Sequence, residues 1–279
     1  MLTQHVALVS ESEAVPASLA SSIAAAVQEQ VTRDFAPLWD LSATVNYFPT
    51  LEDVPSGYWP VIILDQLPNS SDGGYHTDQS GQPYALVLSD GRVSVDVSHE
   101  CLEMLADPFG RRLVAGDSIM SGQGRVEYLV EVCDPCQGPS FSYLINGLPV
   151  SDFYTPHFFD PEPAPGIRYC YTGAITQPRH ILKQGYISWL EPVANQMWQA
   201  FNFGPKLTFK NLGSPPPTAS LREWVDSQAA AEILTLQGRR LPAGRCTVQA
   251  THARSSRARA AALREEIRGL FLQKECARS

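Results

Sequence analysis

The sequence predicts an α+β fold: a small mixed β-sheet, one helix carrying the chemistry, and further helices at the C-terminal end. Three observations carry this expectation. Short apolar runs of strand length recur between residues 5 and 88. Residues 17–35 repeat apolar positions at helical spacing. A Pro-rich stretch, Gly213-Ser214-Pro215-Pro216-Pro217-Thr218, separates the last two helical stretches from the rest.

Residues 5–10 read as a first strand. Over residues 17–35, Leu19, Ile23, Val27, Val31 and Phe35 recur every four positions with Ala26 beside them, which predicts an amphipathic helix that Pro37 ends. Residues 43–48 and 59–64 are the next strands, the latter apolar enough to be central. Asn, Ser, Asp and Gly between 68 and 74 supply turn chemistry. Residues 84–88 form a fourth strand, closed by Ser89-Asp90-Gly91. A helix over 95–106 stops at Asp107-Pro108, because the residue before proline is pushed out of the helical region. Residues 126–132 and 141–145 suggest a hairpin, 149–178 an ordered loop, and 185–201 one more short helix. The expected organisation is a body over 1–212, a linker over 213–220 and a helical region over 221–279, with helices at 221–236 and 254–272.

The chain has 279 residues, 44% hydrophobic and 18% charged, as expected of a packed protein rather than a disordered one. No apolar run approaches the roughly 18 residues that span a bilayer. The first ten residues lack the basic start and apolar stretch of a signal peptide, so a cytoplasmic protein is expected. A net charge of -8 argues against nucleic acid as the main domain's partner. Locally, Arg254, Arg257, Arg259, Arg264 and Arg268 face only Glu265 and Glu266, which fits a solvated helix face or contact with a protein partner through the C-terminal helices. Of six cysteines only Cys133 and Cys136 are closely spaced. Without a second such pair they make no four-cysteine zinc site and read as buried thiols, with a redox or structural-metal role the alternative.

The chemistry concentrates in His99-Glu100-Cys101-Leu102-Glu103. Residues four apart share a helix face, so the His99 imidazole and the Glu103 carboxylate can converge on one ion. Zinc accepts both ligand types and in hydrolases keeps a position open for water. Glu100, beside the first ligand, suits a general base that takes that water's proton as it attacks a carbonyl. The pattern is H-E-x-x-H with its second histidine replaced by Glu103, a harder set than the usual zinc ligands, so manganese or iron also fits. The alternative is that the same three residues are a solvated helix face that binds nothing, with Leu102, Met104 and Leu105 as its core side.

The run Ser98-His99-Glu100-Cys101-Leu102-Glu103-Met104-Leu105-Ala106-Asp107-Pro108-Phe109-Gly110 resembles a group of bacterial zincin-like metallopeptidases carrying S-H-E-x-x-E-x-x-x-D-P-F-G. The order of elements over roughly residues 1–200 is similar too. The resemblance implies a zincin-like fold, zinc and a peptide or protein substrate. It implies that the strand over 84–88 is an edge that pairs with extended substrate. It also implies a third ligand downstream. Glu131 is favoured, followed by Asp134, which equally suits orienting His99; Glu127 and Asp107 are further candidates.

His76, in a loop before the strand over 84–88, reads by default as a surface residue, with lining of the cleft the alternative, and His157 as packed or on the substrate side. Tyr154, Tyr169 and Tyr171 are candidate donors to an oxyanion, with nothing selecting one. No phosphate-binding loop, dinucleotide fingerprint or nucleophile elbow competes. The leading expectation is a zinc-dependent hydrolase using His99, Glu103 and Glu131 as ligands and Glu100 as base. The alternative is a catalytically silent zincin-like protein serving in binding or assembly.

Overall fold

The computed structural model describes residues 2–68, 73–217, 220–236 and 256–276, with backbone alone for 229–236, 256–259 and 272–276. Strand β1 (Gln4–Ser10) leads into helix α1 (Ala17–Glu29), which buries Ala20, Ile23, Ala24 and Val27. The predicted helix over 17–35 is in fact the first two of three pieces that run on to Trp39. A π-helical turn, Gln30–Phe35, follows α1 and passes into one α-turn, α2 (Ala36–Trp39). Pro37 does not end the helix, because it falls in the first turn of α2, where a missing N–H leaves no bond unmade. The chain turns away only at Asp40, with φ 51°.

Strands β2 (Ala43–Tyr47), β3 (Trp59–Leu64), β4 (Gly74–Gln79) and β5 (Gln82–Leu88) complete a five-stranded sheet in the order β2-β1-β3-β5-β4. The first four in this order run parallel; β4 alone is antiparallel, paired with β5 from Gly74 opposite Val87 to Gln79 opposite Gln82. Residues 84–88 are therefore interior, contrary to expectation, and β4 is the edge. The residues Gly-Tyr-His-Thr-Asp-Gln carry no apolar run because an edge strand need not be apolar on both faces. Ser80 and Gly81, at φ 51° and 79°, supply the two positive-φ positions of a tight hairpin turn.

Helix α3 (Val93–Ala106) carries the motif. Val97, Cys101, Leu102 and Met104 pack into the main core with Val61, Ile63, Ala85 and Val87.

A second sheet follows, all antiparallel, in the order β12-β11-β10-β7-β6. Its strands are β6 (Leu113–Asp117), β7 (Arg125–Leu129), β10 (Tyr186–Glu191), β11 (Gln196–Phe201) and β12 (Thr208–Gly213); a small hairpin, β8 (Tyr143–Ile145) with β9 (Leu148–Val150), stands apart. Two expectations fail here. The stretches 126–132 and 141–145 do not pair with each other: β7 lies between β6 and β10, and β8 pairs with β9. Residues 185–201 are a hairpin instead of a helix, with fully buried Trp189 opposite Trp198. The segment between β9 and β10 is largely irregular, as predicted.

Helix α4 (Leu221–Leu236) sets Trp224 and Val225 against Met197 and Leu212. Helix α5 (Ser256–Cys276) lays Ala260, Leu263 and Ile267 on the outer face of the first sheet, against Val9, Ile62 and Leu86. Burying two such aliphatic side chains contributes on the order of 3–6 kcal/mol. Arg264 pairs there with Glu11 and Glu52, so this basic residue answers acids of its own body. Arg254 and the side chains of Arg257 and Arg259 lie outside the described residues, as do residues 218–219 of the linker. No described helix is long and apolar enough to cross a membrane.

Candidate metal centre

The spacing within α3 does what helical geometry predicts. His99 Nε2 lies 3.3 Å from Glu103 Oε1, and the Glu103 side chain is wholly buried. Ser98, one residue earlier, anchors this turn. Its hydroxyl donates to Gln30 Oε1 at 2.7 Å and accepts from the Ser151 N–H at 3.0 Å, while Gln30 Nε2 donates to the Ser151 carbonyl at 2.8 Å. The π-helical turn after α1 thus delivers the buried glutamine that closes this ring.

The segment leaving β7 crosses the same face. Cys133 N–H donates to Glu103 Oε1 at 3.1 Å, and the 3₁₀ turn Asp134–Cys136 brings Asp134 Oδ1 to 3.3 Å from His99 Nε2. His99, Glu103 and Asp134 each offer a donor atom, all within 4.8 Å of one another. Of the downstream candidates, Asp134 joins this group and Glu131 does not. Glu131 accepts a bond from Arg222, Glu127 is half-buried in β7, and the Asp107 carboxylate accepts the Arg112 N–H at 2.6 Å.

On the other side of Glu103 lies His76. It is buried, not at the surface, because it belongs to β4 and its ring turns inward over α3. Its Nε2 lies 3.1 Å from the Asp107 carbonyl; its Nδ1 lies 3.4 Å from Glu100 Oε2 and 3.9 Å from Glu103 Oε2. His76, Glu100 and Glu103 form a second group of donor atoms within 4.8 Å. Gly74, one turn of the pleat away, has no room for a side chain, since a Cβ there would stand 2.8 Å from Glu100 Cγ.

The remaining member comes from α4. Arg222, 5% exposed, directs Nη1 at Glu131, at Glu103 Oε2 (3.3 Å) and at Asp134 Oδ2 (3.3 Å), while its Nε donates to Asp226 at 2.9 Å. Its backbone N–H donates to the Gly110 carbonyl at 3.0 Å. Gly110 is required twice over: φ is +58°, and a Cβ would stand 2.7 Å from Arg222 Cβ. The Asp107-Pro108-Phe109-Gly110 turn thereby holds His76 through one carbonyl and Arg222 through another.

Electrostatics follow from this crowding. Burial opposes the charged form of His99, yet the adjacent Glu103 and Asp134 carboxylates outweigh it and raise its pKa well above the ordinary imidazole value. Burial and the neighbouring Glu103 push Asp134 up to about 6. Burial raises Glu131 as well, against the pull of Arg222. For Glu103, His99 and Arg222 overcome burial and hold the carboxyl below its usual range.

The donor set fits a small divalent cation. Asp134 Oδ1 is buried and makes no hydrogen bond among the described residues. His99 Nε2 stands 3.3 Å from an oxygen on each side. Ligand atoms bound at ~2.0–2.1 Å in a tetrahedron are separated by about 3.3–3.4 Å. Both carboxylates turn their second oxygen toward Arg222, an outer contact of the kind that fixes metal ligands in place.

Arg222 escaped the sequence reading, and His76 entered it only as a cleft-lining alternative to a surface residue. Arg222 lies more than a hundred residues from the motif, and nothing local marks it. His76 carried one signal, Gly73-Gly74 ahead of it, which permits the close approach of β4 to α3. His157 is exposed and pairs with Asp160 at 2.9 Å, contrary to expectation. Of the three tyrosines, Tyr154 lies in the field of Glu131, Glu103 and Asp134, which together with burial raises its pKa. Comparison with known proteins returned no matching family model, no curated relative and no similar solved structure.

Proposed function

We propose that this chain is a metal-dependent hydrolase with zinc as the leading ion, His99, Glu103 and Asp134 as its ligands, and Glu100 as the base. The observation that carries the reading is the convergence of His99, Glu103 and Asp134 from two separate segments, with His99 Nε2 3.3 Å from Glu103 Oε1 and from Asp134 Oδ1 and all three donor atoms within 4.8 Å. A bound divalent cation supplies a Lewis acid that polarises a carbonyl and acidifies water. Glu100, adjacent to His99 and 3% exposed, takes the water's proton and returns it to the leaving group. Asp134 replaces the favoured Glu131 as third ligand, and Glu131 instead holds Arg222.

Peptide bonds are the substrate class this arrangement supports best. The order β2-β1-β3-β5-β4, with an antiparallel edge strand and the motif helix directly after β5, supports the zincin-like reading. The edge that would pair with extended substrate is β4, whose His76 points to the site. A second reading draws on Arg222. A guanidinium held by the site's own carboxylates is an internal cation, which favours a metal-free protein used for binding. Glu100→Gln separates the two: the hydrolase reading requires zinc-dependent peptide cleavage that this variant loses by at least a hundredfold at unchanged melting temperature. No zinc uptake and no cleavage by the native chain would leave the binding reading.

A further inference from the structure

Resting on that reading, we infer that the site holds two divalent cations, the second one bound by His76 Nδ1, Glu100 Oε2 and Glu103 Oε2, with Glu103 bridging the pair.

The argument begins with the His76 ring. A backbone carbonyl only accepts, so the 3.1 Å contact with Asp107 places the proton on Nε2. The ring's Nδ1 faces Glu100 Oε2 at 3.4 Å, within hydrogen-bond reach, and Glu103 Oε2 at 3.9 Å. The donor atoms of His76, Glu100 and Glu103 lie within 4.8 Å of one another in a buried space, close enough for one cation to take the place of the proton between them. Histidine ligands are oriented in this way, one nitrogen donating to a carbonyl and the other free for the ion.

Glu103 supplies the bridge. Its Oε1 faces His99 and its Oε2 faces His76, so one carboxylate contributes a different oxygen to each group. Paired metal sites place their ions about 3.5–4 Å apart, a span one bridging carboxylate covers. Glu100 grips the second ion by Oε2 and keeps its other oxygen, which lies beside Gly74, for the proton.

The test is metal content of the full chain after equilibration with zinc and removal of loosely bound ion, beside His76→Ala, together with the electron paramagnetic resonance spectrum of the manganese-loaded native protein. Expected are two equivalents of zinc in the native chain, one in His76→Ala, and a spin-coupled manganese pair. One equivalent in both, with an uncoupled manganese signal, would overturn the second site and leave the single-ion hydrolase standing. No bound metal at all would remove both. The native chain's stoichiometry and spectrum decide the matter even where the variant folds poorly.

Discussion

Replacing Arg222 by methionine should destabilise the metal-free protein severely and the metal-loaded protein much less. The substitution keeps most of the aliphatic stem but removes a guanidinium that lies within 3.3 Å of Glu103 and Asp134 and donates to Glu131. Deleting one partner of a buried ion pair costs about 3–5 kcal/mol, because the carboxylates left behind, Glu131 above all, lose that counter-ion where no water replaces it. At about 2–4 °C per kcal/mol for a domain of this size, the melting temperature in chelator should fall by about 6–20 °C. Excess zinc should recover part of that loss, since a cation on Glu103 and Asp134 neutralises the same carboxylates. Linkage makes the effect reciprocal: each recovered ~1.4 kcal/mol corresponds to tenfold tighter zinc binding by the variant than by the native chain. Melting followed by circular dichroism in chelator and in zinc, with zinc titrations of both proteins, reads all of this. An identical loss in chelator and in zinc would refute the reasoning, because Arg222 and the metal would then act on different groups.

Gly110→Ala should cost about 1–2 kcal/mol for the left-handed backbone alone, more from its collision with Arg222 Cβ, and should show as a lower urea midpoint. Ser98→Ala breaks the ring with Gln30 and Ser151, leaves a buried amide N–H without its acceptor, and should lower stability by about 1–3 kcal/mol in the same assay. Asp96 has a buried Oδ2 without a hydrogen bond among the described residues, and burial raises its pKa to about 6. The folded state therefore binds its proton more tightly than the unfolded chain does. This site's contribution is most favourable below about pH 4 and falls as pH rises to about 6, by up to roughly 3 kcal/mol. Asp96→Asn should remove that slope, so its melting temperature should exceed the native protein's at pH 8 and approach it at pH 4.

Local rules carried a good part of the molecule. The period of apolar residues located α1, and Asp107-Pro108 marked the end of the motif helix α3. The apolar strand over 59–64 was recognisable as central because both its faces are buried. Residues four apart share a face in any α-helix, so the His99–Glu103 pair was readable once the helix was placed. Failure came wherever pairing between distant segments decides. Strand β4 reads as a polar turn because an edge needs little apolar content; its neighbour β5 was taken for the edge, and the 186–201 hairpin passed for a helix. Whether Glu131 or Asp134 faces His99 depends on how the chain leaves β7 and enters a 3₁₀ turn, which their spacing cannot express. Arg222 and His76 reach the cluster from a C-terminal helix and an edge strand. Both are placed there by packing against the Asp107–Gly110 turn, through long-range contacts that no local window contains.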